Sequence, residues 1–163
     1  MAEAATIRVT PSNARVQNYL KDLAGPPTAV RVIGGSLLTG LRDDKTVLGH
    51  EFASRLGQMA IETSVHHGLA AAMGHSTEYQ PCECKGFGAK VQHALVETFT
   101  DRRADGTRAI AVPRMTGAYA GRFARLAWEH DGSGAQDVLL STTLSFGFDA
   151  IFNIARELSG VGR

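Results

Sequence analysis

The amino-acid sequence predicts an all-α protein, a bundle of about six helices with small-residue packing seams and short loops marked by glycine or proline. Apolar residues recur at three- and four-residue steps over most of the chain, whereas the alternation typical of a strand is hardly seen. Glycine and proline stand between these stretches, where helices end. With 163 residues, the chain has the length of one domain and can bury a core without disulfide bonds.

The predicted helices follow a flexible tail at residues 1–11, and a single helical domain occupies residues 12–163. Ser12 or Asn13 is a good N-cap for the first helix, which Gly25 ends. The most sustained pattern runs over residues 47–73, so the longest run of helix is expected there. The other predicted helices cover residues 29–41, 88–101, 115–129 and 136–158, and a brief extended piece is expected at 109–112.

The charge balance argues against a nucleic-acid partner. The chain has 17 basic and 16 acidic residues and a formal net charge of +1. Three arginines lie close together in the sequence, Arg102, Arg103 and Arg108, but Asp101 and Asp105 lie among them. A nucleic-acid-binding protein usually gathers a basic excess on one face, so this class of partner is not predicted.

The N-terminal residues have neither the positive n-region nor the apolar h-region of a signal peptide. We therefore expect a cytoplasmic protein from the sequence as given, and a periplasmic or membrane-associated protein if the chain is a mature form. The longest apolar stretch, residues 138–155, is interrupted by Asp149. A clean transmembrane span is therefore not predicted.

Both cysteines lie in one stretch, from Glu78 to Gly88, which separates two helical halves of the chain. With one residue between them, Cys82 and Cys84 are poorly spaced for an intramolecular disulfide, because the ring is small for the preferred dihedral angle. As thiolates they could bind zinc or copper, completed by His93, by His75, or by His66 and His67. A disulfide between chains, a strained disulfide within the chain, and reduced, inert thiols are the other interpretations.

The histidines have a structural interpretation. His93 stands between Val91 and Leu95 on a predicted helix whose apolar residues should point to the core. We expect it to be partly buried and hydrogen-bonded rather than a metal ligand. His66 and His67 are about 100° apart around their helix, so they cannot both face one side.

Two glycines, Gly117 and Gly121, lie one turn apart on the fifth predicted helix. Such a seam lets a neighbouring helix approach closely, either inside the bundle or at an oligomer or membrane contact. Gly57, on a small-residue stripe of the third helix, belongs to the same predicted packing or interface set. Two aromatic residues, Phe123 and Phe148, complete it.

Asp149 is the carboxylate that most needs an explanation, because it stands in an aromatic-rich helix. A buried carboxylate requires a partner, and Arg122 or Arg125 on the preceding helix is expected to form a structural ion pair with it. The chain has no nucleophile elbow, phosphate-binding loop or zinc-protease motif. An enzyme is therefore not predicted.

The cysteine stretch also carries a resemblance. A Tyr-x-x-Cys-x-Cys-x-Gly-Phe pattern begins at Tyr79, a helix with His93-Ala-Leu follows, and a Gly-Ala-x-x-Gly helix begins at Gly117. In these features the chain resembles a group of uncharacterised bacterial proteins, many of which carry signal peptides. The resemblance implies export and a shared helical fold, and it brings no activity or catalytic residue.

From these features we expect a non-enzymatic helical structural or interaction protein. It would self-associate or serve as an accessory subunit of a larger assembly, with a protein or a membrane surface as its partner and without a cofactor. The alternative is a metal or redox protein that uses Cys82 and Cys84 with a nearby histidine, and zinc or copper would then be its metal.

Overall fold

The computed structural model describes residues 12–25, 28–29, 32–34, 45–129 and 134–160. The fold is all-α, as predicted, with a single small sheet among the described residues. Its helices are α1 (Ser12–Ala24), α2 (Lys45–Met73), α3 (Phe87–Phe99), α4 (Val112–Leu126) and α5 (Ala135–Ser159), and its strands are β1 (Thr100–Arg102) and β2 (Arg108–Ile110).

Most predicted elements are found near their expected positions. The predicted tail at 1–11 lies outside the described residues, as does most of the helix predicted at 29–41, of which residues 29 and 32–34 are helical. The fifth helix begins at Val112 rather than at residue 115. Pro113 lies in its first turn, where the missing N–H group is not needed.

The helix predicted to reach residue 101 ends at Phe99, because the next three residues form β1. β1 pairs antiparallel with β2, and Thr100 is opposite Ile110. β2 overlaps the expected extended piece only at residues 109 and 110, because Val112 already begins α4. The turn between the strands contains Gly106 with a φ of 82°, a conformation that favours glycine. The Oδ1 atom of Asp105 accepts a hydrogen bond from the Thr107 amide at 2.8 Å.

The α2 and α4 helices pack with almost touching backbones. A Cβ atom at Gly117 would lie 2.7 Å from the carbonyl oxygen of Glu62, and one at Gly121 would lie 2.8 Å from that of Gln58. The glycine seam is therefore used inside the chain. Farther along the same pair of helices, a Cβ atom at Gly57 would contact the Trp128 ring at 3.4 Å.

The second half of the bundle is built on α5, which packs against α3 and α4. Small polar side chains lie between α5 and α3, where Asn153 donates a hydrogen bond to Oγ1 of the buried Thr98 at 3.0 Å. Thr142 is also buried, and its hydroxyl donates to the carbonyl of Val138. On the α4 side, the rings of Tyr119 and Phe146 meet edge to face.

The buried faces differ from those expected. On α3, Leu95 and Phe99 were expected to point inward, but both are exposed, and Ala94, Glu97 and Thr98 are buried in their place. The buried face of α3 carries the polar groups that contact other elements: Glu97 accepts a hydrogen bond from Arg108, and Thr98 accepts one from Asn153 of α5. The buried apolar residues are mostly small: Val32, Ala70, Cys82, Ala94, Ala111, Ala118, Val138 and Ala150, with Phe146 as the large exception.

The adjacent histidines of α2 face different neighbours, as predicted. The Nε2 atom of His67 lies 2.8 Å from Oδ2 of Asp22 on α1. His66 packs against α4, where its Cβ atom would meet a Cβ atom at Gly117 at 3.0 Å. Burial, followed by the positive charge of Arg114, lowers the pKa of His66 to about 4.

We expect the substitution Gly117→Ala to destabilise the protein. The added methyl group would force α2 and α4 apart, at a cost of about 1–3 kcal/mol that exceeds the helix-propensity gain. Gly68→Ala is the matched control, because a Cβ atom there meets nothing within 4 Å among the described residues, and its stability should rise by up to about 1 kcal/mol. Urea unfolding measures both changes, and an unchanged midpoint for Gly117→Ala would contradict the close contact.

We also expect His66 to remain neutral well below the usual histidine range. Because its folded-state pKa is lowered to about 4, protons bind the unfolded chain first as the pH falls. The stabilisation by neutral His66 is present above about pH 6.5 and is lost as the pH falls through about 4. An NMR titration of the His66 ring should therefore have its midpoint near pH 4, and His66→Gln should flatten the fall in stability. A midpoint near 6.5 would show that the ring is solvated.

Candidate functional site

The cysteine-containing loop, residues 75–86, is anchored to the hairpin as it leaves α2. His75 forms a β-bridge with Arg103, and the Ser76 amide donates a hydrogen bond to the Arg102 carbonyl at 2.7 Å. At Gly74, the carbonyl accepts a hydrogen bond from the Ala104 amide at 2.9 Å. The beginning of the loop is therefore held by backbone contacts.

The middle of the loop is held by one carboxylate of α5. The Oε1 atom of Glu157 accepts hydrogen bonds from the Tyr79 hydroxyl at 2.7 Å and from the Cys82 amide at 2.9 Å. Glu157 is only 5% exposed. Its backbone carbonyl accepts a hydrogen bond from Nζ of Lys90 at 3.1 Å, so α3 also contacts this residue.

His93 lies between two buried carboxylates. Its Nδ1 atom is 3.3 Å from Oε1 of Glu157, and its Nε2 atom is 3.7 Å from Oε1 of Glu97. Glu97 in turn accepts a hydrogen bond from Arg108 of β2 at 2.8 Å. We call Tyr79, His93, Glu97, Arg108 and Glu157 the carboxylate network, and it connects the loop, α3, the hairpin and α5.

The network shifts the acid–base behaviour of two of its members. Burial raises the pKa of the Glu157 carboxyl, but the combined hydrogen bonds from Tyr79 and Cys82 and the charge of His93 outweigh it, so the pKa is lowered overall. Burial, and then the bond to Glu157, raise the pKa of Tyr79 above its usual range. At neutral pH, a protonated Tyr79 therefore donates to an ionised Glu157.

A second buried group lies beside the network. Asp101 of β1 accepts a hydrogen bond from Nη2 of Arg114 at 2.9 Å, and its other oxygen is 3.5 Å from Nδ1 of His75. Arg114 also donates to the backbone carbonyls of Glu97 and Thr98. The charge of Asp101 is thus paired inside the chain, and the pair attaches the start of the loop to α4.

The structure places the sulfur atoms of Cys82 and Cys84 against each other, with their Cα atoms 5.1 Å apart. The thiol state of the pair stays a prediction. No three His, Cys, Asp or Glu residues form a metal-binding group in the described part of the chain. The zinc or copper site at Cys82, Cys84 and His93 stays a prediction.

The predicted ion pair of Asp149 also stays a prediction. Asp149 and Arg122 line the same cavity of about 270 Å³ between α2, α4 and α5. Burial lowers the pKa of Arg122, while the charges of Glu62 and Asp149 oppose this shift. Arg125 forms its ion pairs elsewhere, with Glu51 of α2 at 2.9 Å and with Glu129 at 3.4 Å.

A larger cavity of about 700 Å³ opens between α1, α2, the loop and the hairpin. Hydroxyl groups and basic side chains line it together. Tyr19 and Ser64 share a hydrogen bond of 3.1 Å at its wall, and Arg15, His67, Arg102 and Arg103 are among the other lining residues. The volume is within the range of small-molecule sites.

The predicted interface residues separate into two groups. Gly57, Gly117 and Gly121 make contacts within the chain, between α2 and α4 or its following turn. Phe123 is 40% exposed and Phe148 is 72% exposed. Only the aromatic members of the set are therefore available for a contact outside the described part of the chain.

Phe148 belongs to an exposed row of large apolar side chains on α5. We call this row the apolar stripe. Its members are 64–72% exposed and share one side of the helix, and they are Leu140, Leu144, Phe148, Ile151 and Phe152. By length and composition, α5 is the one helix in the described ranges that could cross a membrane. A core helix can have the same properties, and α5 packs one face against α3.

Sequence reasoning missed Glu157, Glu97 and Asp101, and it considered His75 only as an alternative metal ligand. The i,i+4 spacing of His93 and Glu97 was the one local signal, because residues four apart on a helix are neighbours. The contacts to Glu157 join residues 64 and more positions apart, so no local pattern could reveal them. No family model, no curated protein and no solved structure matches this chain.

We expect Glu157→Gln to weaken the anchoring of the loop. Removal of the charge leaves Tyr79 and Cys82 with a poorer acceptor, and the free energy of unfolding at neutral pH should fall by about 1–3 kcal/mol. Since the folded-state pKa of Glu157 is lowered, its stabilisation is present above about pH 4.5 and is lost as the pH falls through the folded value. The difference in unfolding free energy between the variant and the wild type should therefore disappear at acidic pH.

Urea unfolding at neutral and acidic pH measures this difference, and hydrogen exchange of the Cys82 amide reports on the loop itself. Glu83→Gln is the control, because Glu83 is an exposed residue of the same loop. Equal stability of wild type and Glu157→Gln at both pH values, with unchanged exchange at Cys82, would refute the anchoring role.

Proposed function

We propose that this protein is a non-enzymatic helical interaction protein that associates through the apolar stripe of α5, with itself or as an accessory subunit of a larger assembly. The observation that carries the proposal is the exposure of the stripe, in which each of five large apolar side chains is at least 64% exposed. Contiguous exposed apolar surface of this kind is typical of interaction sites.

The hydrogen bonds of the carboxylate network support a structural role. Oε1 of Glu157 is already bonded to Tyr79 and Cys82, and Arg108 is bonded to Glu97. Groups that are satisfied by their own chain hold elements together. In the proposed function, the carboxylate network sets the position of α5 and therefore the orientation of the stripe.

We expect the double substitution Phe148→Ser, Phe152→Ser to abolish association. Buried aromatic residues at an interface contribute about 2 kcal/mol or more each, so each loss should weaken association roughly 30-fold. Light scattering and chemical cross-linking measure the mass, and flotation with lipid vesicles measures membrane binding.

Phe87→Ser is the matched control for this experiment. Phe87 is 69% exposed, like the stripe residues, but it lies at the start of α3. Its substitution should leave association unchanged. A wild-type protein that is strictly monomeric and binds neither vesicles nor a protein partner would count decisively against the proposal.

A further inference from the structure

Gly147 is a glycine for which the described part of the chain gives no structural reason. It lies within α5, three residues after Leu144 and four before Ile151, at one edge of the apolar stripe. Its φ is not among the positive values found at four other glycines. A Cβ atom at Gly147 would meet nothing within 4 Å, whereas one at Gly117 would collide with α2.

A glycine inside a helix lowers helix propensity. In α4 the close approach of α2 compensates for this loss. Gly147, unlike the equally open Gly68, borders large exposed apolar side chains, so it offers the same approach to a helix from outside. We infer that α5 of a second copy of this chain crosses the stripe at Gly147, in a two-fold symmetric dimer; this inference rests on the proposed function and names its partner.

The charges of α5 favour a second copy over a lipid surface. Each of its four charged residues is turned toward its own chain. Asp137 accepts from the Gly134 amide, Asp149 lines the cavity beside Arg122, Arg156 lies over the Tyr79 ring at 4.9 Å, and Glu157 is buried. Helices that lie on membranes are rich in lysine and arginine near their apolar face, and this helix offers none to a lipid headgroup.

The extent of the stripe also suits a pair of identical helices. From Gly147 it reaches seven residues back to Leu140 and five forward to Phe152, or about 10 Å and about 8 Å along the axis. An antiparallel copy would therefore meet apolar side chains on both sides of the crossing.

The exposed area is close to the requirement of a stable dimer. If each large side chain has on the order of 150–200 Å² of surface, the exposed parts of the five stripe residues amount to roughly 600 Å² per chain. A standard interface buries about 800 Å² per partner. Leu139 and Leu158, at 47% and 42% exposure, extend the surface on the same helix.

Sedimentation equilibrium of wild type, Gly147→Ala, Gly147→Leu and Gly68→Leu tests the inference. We expect a wild-type dimer, a modest weakening by Gly147→Ala, and a loss of roughly 30-fold or more in association with Gly147→Leu, a hot-spot-sized effect. Gly68→Leu is the control, since Gly68 is also an exposed glycine inside a helix with nothing within 4 Å of its Cβ position; it should remain dimeric.

Stability measured at dilute protein separates a folding defect from an interface defect. Because a Cβ atom at Gly147 is free of contacts within the described residues, Gly147→Ala should raise the melting temperature of the monomer by about 2–4 °C. Retained helicity in Gly147→Leu, by circular dichroism, would show that its loss of association is not unfolding.

The outcomes distinguish this inference from the proposed function. A wild-type dimer that Gly147→Leu leaves intact but Phe148→Ser, Phe152→Ser disrupts would overturn the crossing at Gly147 and keep the proposed function. A wild-type monomer that floats with neutral lipid vesicles would replace the second copy by a membrane as the occupant. A monomer that binds neither vesicles nor protein would remove both.

Discussion

The close approach of α2 and α4 is the constraint on which the first half of the bundle depends. Neither Gly117 nor Gly121 leaves room for a Cβ atom, so the two helices lie as near as their backbones permit. At this separation Trp128 can pack over Gly57 and donate to the Ser54 hydroxyl at 2.8 Å, and Ser54 contacts Glu129. The same separation withdraws His66 from water and lowers its pKa. The close packing of α2 and α4 thus determines which polar groups meet between these helices.

In the second half of the bundle, the buried carboxylate of Glu157 holds the elements in position. A carboxylate as buried as Glu157 costs several kcal/mol unless its partners are good. Its partners come from three directions: the loop supplies the Tyr79 hydroxyl and the Cys82 amide, and α3 supplies His93. Because one oxygen atom accepts from the loop and faces α3, the loop cannot move without changing the contact between α3 and α5. The cysteine-containing loop therefore contacts both α3 and α5, and Glu157 fixes its position in the fold.

Periodicity was sufficient to predict the helices but not their buried faces. α2 and α5 begin and end within two residues of their predicted bounds, because long apolar repeats have few alternatives to a helix. The pattern does not tell how closely two helices approach. Gly117 and Gly121 are buried where α2 and α4 nearly touch. On α3 the face with Ala94, Glu97 and Thr98 is buried, so Leu95 and Phe99 lie outside although they are more apolar. The carboxylate network was missed because its contacts connect separate elements.

The small residues at the helix contacts and the buried polar groups together explain why α5 exposes so much apolar surface. A bundle held by small residues gains contact density at its seams, but it buries little apolar area for each helix, and hydrophobic stabilisation is proportional to that area. The large side chains that would normally fill a core remain outside and collect on α5. They cannot all turn inward, because Thr142, Ala150 and Glu157 already occupy the buried face of that helix. Burial of the stripe therefore requires surface from beyond the described chain, and the open glycine at its edge is a position at which another backbone can approach closely.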